Sequence, residues 1–478
     1  MSEQDLPPPG TPRGMDRRSV LQAAGLGAGA FAAGGITVSR WPGKSHASRT
    51  DANPASASSS ASAAVAGAGA GLPLTGGPDF PIGLFWPPHP FQTTLARYQE
   101  ITEAGFTFLI TGNYQLDEAS AKQALGLADQ VGLKVLVAGD PRIGAIARHM
   151  SVTDDRSVPS SLTTAEAASW VRSSLDGYAS HPSFAGFNLY DEPVRSRFPT
   201  VGALTGIVRR LAPALLPYSN LGRGNGPGYA RLVRSYVDTV RPPLISFDRY
   251  PILTGGIDTD YFDTWAIIRA ASLKSGLPAW TYIQSTGFRG HRIPTASQLA
   301  WQINVSLAYG CKGIQYFTYW TPDPARGEGY TQALITTDGR RTPLYDAAKA
   351  FNRTWLQPVG RQLKPLVSES VQHANDDPLP RGVTAFAPGD HLTSATGDAV
   401  ILGLFTSPQD DGTRYLLVTN RSADQAGSVR IGLNQAHVSG ISRFEPATAG
   451  WDGAGRPART LRVDLAAGAA ALYRLARG

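Results

Sequence analysis

The sequence predicts an α/β protein: a (β/α)₈ TIM barrel followed by an antiparallel β-sandwich domain. Three observations carry this. From Phe80 onward, eight short β-rich apolar runs alternate with segments of helical period, as expected when helices cross over between parallel strands. No Gly-rich phosphate loop follows the first run, where "FWPPHP" stands, which argues against an open doubly wound sheet. After about residue 367 the texture changes to short alternating runs spaced by Gly, Asn and Asp turns, the pattern of a sandwich.

Two segments precede the barrel. "MDRRSVLQAAGLGAGAFAAGG" sets an arginine pair, Arg17 and Arg18, before a weakly apolar Ala/Gly run too short and small-sided for a firm membrane span. It resembles a twin-arginine export signal, assigned to residues 1–47, so secretion or residence at the cell envelope is expected. Residues 48–77 form a linker; its "PASASSSASAAVAGAGAGLPLTG" tract buries little apolar area and is expected to be a disordered tether, with folding beginning near Pro78.

The barrel is assigned to residues 78–362. Its strands are expected at 80–86, 106–113, 133–140, 184–192, 216–221, 244–250, 278–285 and 313–320, each followed by a helix. Thr163 with Glu166, and Thr295 with Gln298, have capping-box spacing ahead of two of the helices. A helix from about 344 to 356 closes the set. Residues 363–478 form the sandwich, whose candidate strands include "AVILGLFT", "TRYLLVTNRS", "SVRIGL" and "LRVDLAAG". No separate chemistry is visible there, and a module that packs on the barrel is favoured over a carbohydrate-binding one.

Composition excludes several classes of function. With 478 residues and 42% hydrophobic content the chain can build a sizeable core. The formal charge is +7, of which six Lys/Arg against three Asp/Glu in residues 1–50 supply +3; the +4 left on the remainder argues against nucleic acid as a partner. One cysteine, Cys311, rules out an internal disulfide framework, and its apolar neighbours suggest a buried, inert thiol. No later segment offers 18 uninterrupted apolar residues, so no stable membrane span is expected in the mature chain. His89 and His291 have no second ligand at metal spacing, no G-x-S-x-G elbow or Walker loop is present, and neither metal nor cofactor is expected.

The chemistry concentrates in "GFNLYDEP", residues 186–193. On the fourth strand, Asp191 and Glu192 stand at the carboxyl end, the catalytic rim of such barrels, and Pro193 ends the ladder because it has no N–H to donate. Adjacent strand residues face opposite sides, so one carboxylate points to the axis while the other braces it or bends inward. The bland reading is a rim salt bridge to Arg195 or Arg197.

"GFNLYDEP" on the fourth strand, "LISFDRYP" on the sixth and "LAYGCKGIQYFTYW" on the eighth resemble the β-galactosidase-like and hexosaminidase-like barrel glycoside hydrolases, over residues 80 to about 360. The resemblance implies cleavage of O-glycosidic bonds with a fourth-strand Glu as acid/base, here Glu192. One branch of those enzymes has Asn before that Glu and a second Glu on strand seven. Here Asp191 stands before it, and strand seven offers Gln284 and no carboxylate.

Glycoside cleavage needs a protonated carboxyl for the leaving oxygen and a negative or nucleophilic group near the anomeric carbon. Glu192, beside Asp191 and among aromatics, is expected to hold the proton. The second role falls to Asp191, as in the hexosaminidases, where the substrate's acetamido group supplies the nucleophile, or to Asp248 on strand six; Asp140 and Glu328 rank behind them. For Asp248 the bland reading is a salt bridge to Arg249. Trp86, Asn113, Asn188, Tyr250, Trp280, Gln284, Tyr319 and Trp320 gather at strand ends and are expected to form a saccharide bed of stacking rings and hydroxyl-bonding amides, although each aromatic taken singly suits the barrel core. The rival from another class is a catalytically silent carbohydrate-binding or envelope protein on the same barrel, favoured by the missing strand-seven carboxylate and opposed by the retained Asp191 and Glu192.

Overall fold

The computed structural model of the protein describes residues 71–409, 411–453 and 459–477. Eight parallel strands close into a barrel in which each pairs with its neighbour in sequence and the eighth returns to the first. They are β1 (Ile82–Phe85), β2 (Phe108–Ile110), β3 (Lys134–Val137), β4 (Phe184–Asp191), β5 (Leu216–Leu221), β6 (Ile245–Phe247), β7 (Ala279–Gln284) and β8 (Gly313–Phe317). Helices α1 (Leu95–Glu103), α2 (Glu118–Val131), α3 (Pro141–His149), α4 (Thr164–Tyr178), α5 (Phe198–Leu211), α6 (Gly226–Val240), α7 (Asp260–Ser275) and α8 (Ala296–Ala308) cross over between them, two of them between β3 and β4. After β8, α9 (Pro343–Phe351) runs through a π-helical turn into α10 (Gln357–Leu363). Both expected capping boxes form: Thr163 accepts from Glu166 N and Thr295 from Gln298 N, each at 3.2 Å.

The barrel interior is filled, and small residues make the filling possible. Phe108 and Trp280, the first inward residues of β2 and β7, meet with ring centroids 5.5 Å apart. A Cβ on Gly83 would lie 2.2 Å from the Phe108 ring, and one on Gly313 would lie 2.5 Å from Trp280. Glycine on two neighbouring strands therefore gives two large rings their volume. Above them Phe85, Tyr218, Tyr282 and Phe317 complete the packing toward the mouth.

The other end of the barrel departs from expectation. Residues 71–77, assigned to the linker, lie against the barrel: Leu72 and Leu74 pack on the interior cluster. The Lys364 ammonium then donates to the carbonyls of Gly76 (2.9 Å), Gly77 (3.0 Å) and Asp79 (2.6 Å). Two leucines suffice to dock the end of a tract otherwise made of small residues. The export signal and the rest of the tether fall outside the described residues, and no helix among the described residues is long and apolar enough to cross a membrane.

The C-terminal region is a sandwich of two antiparallel sheets. Strands β9 (Val367–Ala374), β11 (Val400–Thr406), β12 (Arg414–Asn420), β17 (Ala470–Arg477), β14 (Val438–Glu445) and β15 (Gly450–Trp451) form one, in that order; β10 (Leu392–Gly397), β13 (Gly427–Leu433) and β16 (Thr460–Leu465) form the other. It covers α8, a helix buried almost all round. Trp301 Nε1 donates to Arg421 O (3.0 Å) and Asn304 Nδ2 to Gly468 O (2.9 Å), and a Cβ on Gly403 would lie 2.7 Å from Ala308 O. The larger sheet thus seats directly on the helix backbone.

Candidate active site

A β-bulge aims the first carboxylate. Along β4 and β5, Asn188 pairs with Tyr218 but Tyr190 pairs with Ser219, so Leu189 is an extra residue on β4. Tyr218 lies in the barrel interior, whereas Ser219 faces out to the Tyr236 hydroxyl of α6 at 2.6 Å. Partners across a ladder share a face, so Tyr190 points outward and Asp191, opposite Asn220, points into the mouth. Strict alternation from Asn188 would have put Asp191 on the outside. Glu192 is turned differently: its φ of 51° is left-handed, its N–H donates to Asn220 O (2.8 Å), and its carboxylate lies against Gly222, where a Cβ would sit 3.0 Å from Oε1.

Asp248 follows β6 directly and meets this pair from the side. Asn220 Nδ2 donates to Asp248 Oδ1 at 3.0 Å and its amide also bonds Asp191. Ser246 Oγ donates to Asn220 Oδ1 (2.8 Å), Tyr218 OH lies 2.7 Å from Ser246 Oγ, and Gln315 Nε2 donates to Tyr218 OH (2.9 Å), so the bridging amide is fixed from inside the barrel. Arg249 turns away to Asp258 (2.6 Å), so it forms no salt bridge with its neighbour Asp248. Asp248 is 5% exposed, while Asp191 and Glu192 remain partly open to the mouth.

Three carboxyls this close cannot all be charged at ordinary cost. Burial first, then the charge of Glu192, pushes Asp191 from 3.8 up to about 7, against the opposing pull of the Asn220 amide and the Arg148 guanidinium. Burial, the charges of Glu192 and Asp191, and a hydrogen bond with Glu192 hold Asp248 well above the carboxylate range. A hydrogen bond between two carboxyls requires a proton, and Asp248, with its raised affinity, can carry it toward Glu192. The sequence predicts that Glu192 holds the proton; in the structure burial and the charge of Glu192 raise both Asp191 and Asp248.

The remaining expected residues divide. Tyr250 stacks on Phe317 (5.0 Å, 23°) beside all three carboxyls, and Asn188 faces inward below Asp191 with Oδ1 buried and unpartnered among the described residues. Trp86 lies at the mouth but is 1% exposed, covered by the Arg326 guanidinium 4.1 Å above its ring. Five others serve the fold instead. Trp280 fills the far end of the barrel; Asn113 Nδ2 donates to Pro87 O (2.8 Å); Tyr319 packs outward between Phe106 and Tyr345; Trp320 is buried under Arg97. Gln284 accepts from Ile252 N (3.0 Å) and donates to Ile252 O (3.1 Å) and Arg292 O (2.8 Å), so its amide is consumed in fixing two loops. Asp140 is likewise occupied: it caps α3, accepting from Arg142 N and Ile143 N at 3.0 Å each, and also takes the Tyr178 hydroxyl (2.9 Å). Cys311 is buried, its thiol pushed up to about 12 by burial.

Tyr218, Asn220, Tyr229 and Ser246 were not singled out by sequence reasoning. Tyr229 on α6 carries a buried hydroxyl without a partner among the described residues, and the charges of Asp248 and Glu192 act on it. The signal for the others was present as polar residues at alternate positions, Tyr218 and Asn220 in "LPYSNL" and Ser246 and Asp248 in "LISFD".

No protein-family model matches the sequence, and no curated protein matches it. Among solved structures, the chain is similar to a putative α-L-fucosidase of Bacteroides thetaiotaomicron at 12% identity and a TM-score of 0.40, covering 57% of this chain and 96% of that one. It is similar to a putative α-galactosidase of Bacteroides fragilis at 10% identity and a TM-score of 0.45, over 84% and 79% of the two chains. A β-glucuronidase of Ruminococcus gnavus aligns at 11% identity and a TM-score of 0.40, over 57% of this chain and 49% of the other. By its own strand order the protein is a closed parallel (β/α)₈ barrel with a C-terminal β-sandwich and a carboxyl cluster at the mouth.

Proposed function

We propose that the protein is an exported glycoside hydrolase in which Glu192 exchanges a proton with the glycosidic oxygen and Asp191 faces the anomeric carbon. The observation that supports it most is the hydrogen bond between Glu192 and Asp248 at the barrel mouth, which keeps a transferable proton beside a second, inward carboxyl. Glu192 is the more open member of the pair, so it delivers the proton, and buried Asp248 resupplies it. Asp191, raised to about 7, ionises near neutral pH. Tyr250 offers a ring face for the sugar, and Asn188 Oδ1 an acceptor for a hydroxyl. The Arg17–Arg18 pair before its apolar run supports export.

The test is hydrolysis of a panel of aryl glycosides, with and without a 2-acetamido group, by the native protein and by Glu192→Gln. Loss of at least ~100-fold in kcat on a cleaved substrate is expected. Equal rates for the two proteins would remove Glu192 from the chemistry.

A further inference from the structure

The loop after β8 folds over the barrel mouth and carries a carboxylate that the cleavage chemistry does not use. The Tyr330 hydroxyl hydrogen-bonds the Glu328 carboxylate, while Glu328 Oε2 is buried with no hydrogen-bond partner among the described residues. Gly327 and Gly329, with φ of 74° and 68°, flank Glu328 and allow the tight turn that carries it. The loop is tied down on the same side, where Thr331 N donates to Gly287 O (2.8 Å) and Thr286 Oγ1 to Thr331 O (3.1 Å).

Tyr330, which holds the carboxylate and also feels the Arg326 and Arg289 charges, belongs to a run of aromatic rings that leads back to the carboxyl cluster. Tyr330 packs on Phe288 (5.7 Å, 40°) and on Phe317 (6.3 Å), and Phe317 stacks in turn on Tyr250 (5.0 Å, 23°), which stands beside Asp191, Glu192 and Asp248. Glu328 is thus connected to the cleavage chemistry through Tyr330 and two ring-to-ring contacts. A buried carboxylate oxygen left without a donor is costly, so such a group is retained where a donor arrives from outside the chain. Apolar ring faces below an acceptor match a saccharide, with its C–H face and its outward hydroxyls.

We propose that Phe288, Tyr330 and Glu328 form a second-sugar subsite, in which Glu328 Oε2 accepts a hydrogen bond from a hydroxyl of the saccharide unit next to the one being cleaved. This rests on the glycosidase reading and deepens it: the natural substrate is at least a disaccharide. Phe288 and Tyr330 supply the floor, and Tyr330 also holds the carboxylate in place.

The experiment compares the native protein with Glu328→Gln and Tyr330→Phe on an aryl monoglycoside and on the disaccharide carrying the same cleaved sugar. For Glu328→Gln, KM on the disaccharide should rise ~10-fold or more, the loss of a hydrogen bond to a charged acceptor, with kcat and the monoglycoside parameters unchanged. Tyr330→Phe, which keeps the ring, should raise the same KM by a smaller factor. An unchanged disaccharide KM overturns the proposal, and so does an equal loss of kcat on both substrates, which would make Glu328 part of the chemistry. Should the native protein cleave neither substrate, the glycosidase reading fails instead. Calorimetric binding of a trisaccharide to the native protein and to Glu328→Gln then decides the subsite separately: weaker binding by the variant supports it, and equal binding overturns it.

Discussion

Replacing Asp191 with Asn should abolish turnover and stabilise the protein, with a pH dependence that can be worked out in advance. In the folded chain burial and the charge of Glu192 raise the Asp191 carboxyl from 3.8 to about 7. A raised carboxyl binds its proton more tightly folded than unfolded. Its favourable contribution is complete below the unfolded value and is lost as pH rises through the folded one. Relative to an uncharged side chain, Asp191 therefore costs the native state about 2 kcal/mol at pH 5, where folding takes up a proton, and about 4 kcal/mol at pH 8, where it confines the charge. Asn has nearly the same shape and no charge, so Asp191→Asn should gain stability by those amounts. Urea denaturation of both proteins at pH 5 and pH 8 is the assay, with the midpoint difference widening at the higher pH. A variant less stable than the native chain at pH 8, or a difference independent of pH, would refute the electrostatic description of the mouth.

Two further outcomes follow from the packing. Gln284→Ala leaves the main-chain groups of Ile252 and the Arg292 carbonyl without their buried partner, and should lower stability by ~2–4 kcal/mol in the same denaturation assay; a change under ~0.5 kcal/mol would return Gln284 to the list of free, substrate-facing amides. A chain beginning at residue 78 should be less stable than one beginning at residue 71 by ~2 kcal/mol, the contribution of half-burying Leu72 and Leu74; equal stabilities would mean that the segment adds nothing to the barrel.

The barrel was legible because most of its strands are short, largely apolar runs and the crossovers between them carry helical period. Thr163 and Thr295 announce α4 and α8 from three-residue spacings alone. The site was legible where chemistry interrupts apolar sequence, as at Asp191, Glu192 and Asp248. It was not legible where orientation depends on an irregularity: nothing in "GFNLYDE" marks Leu189 as a bulge, yet that extra residue decides which way Asp191 points. The aromatics were harder still. Trp280 at the start of a barrel strand and Tyr250 after the end of another differ in position along the axis, and the one fills the core while the other lines the mouth. Gln284 was placed in the saccharide bed because a lone amide at a strand end has the same pattern whether it meets a ligand or a loop backbone. Leu72 and Leu74 escaped notice because a low-complexity tract masks two residues with enough apolar area to dock.

The pH dependence of kcat/KM on a cleaved aryl glycoside tests the division of labour among the three carboxyls most directly. With Asp191 as the ionised partner, the rate should rise through about pH 7 as Asp191 loses its proton. A rate that is highest at acid pH and falls through pH 7 would contradict the account, because Asp191 would then be the proton donor.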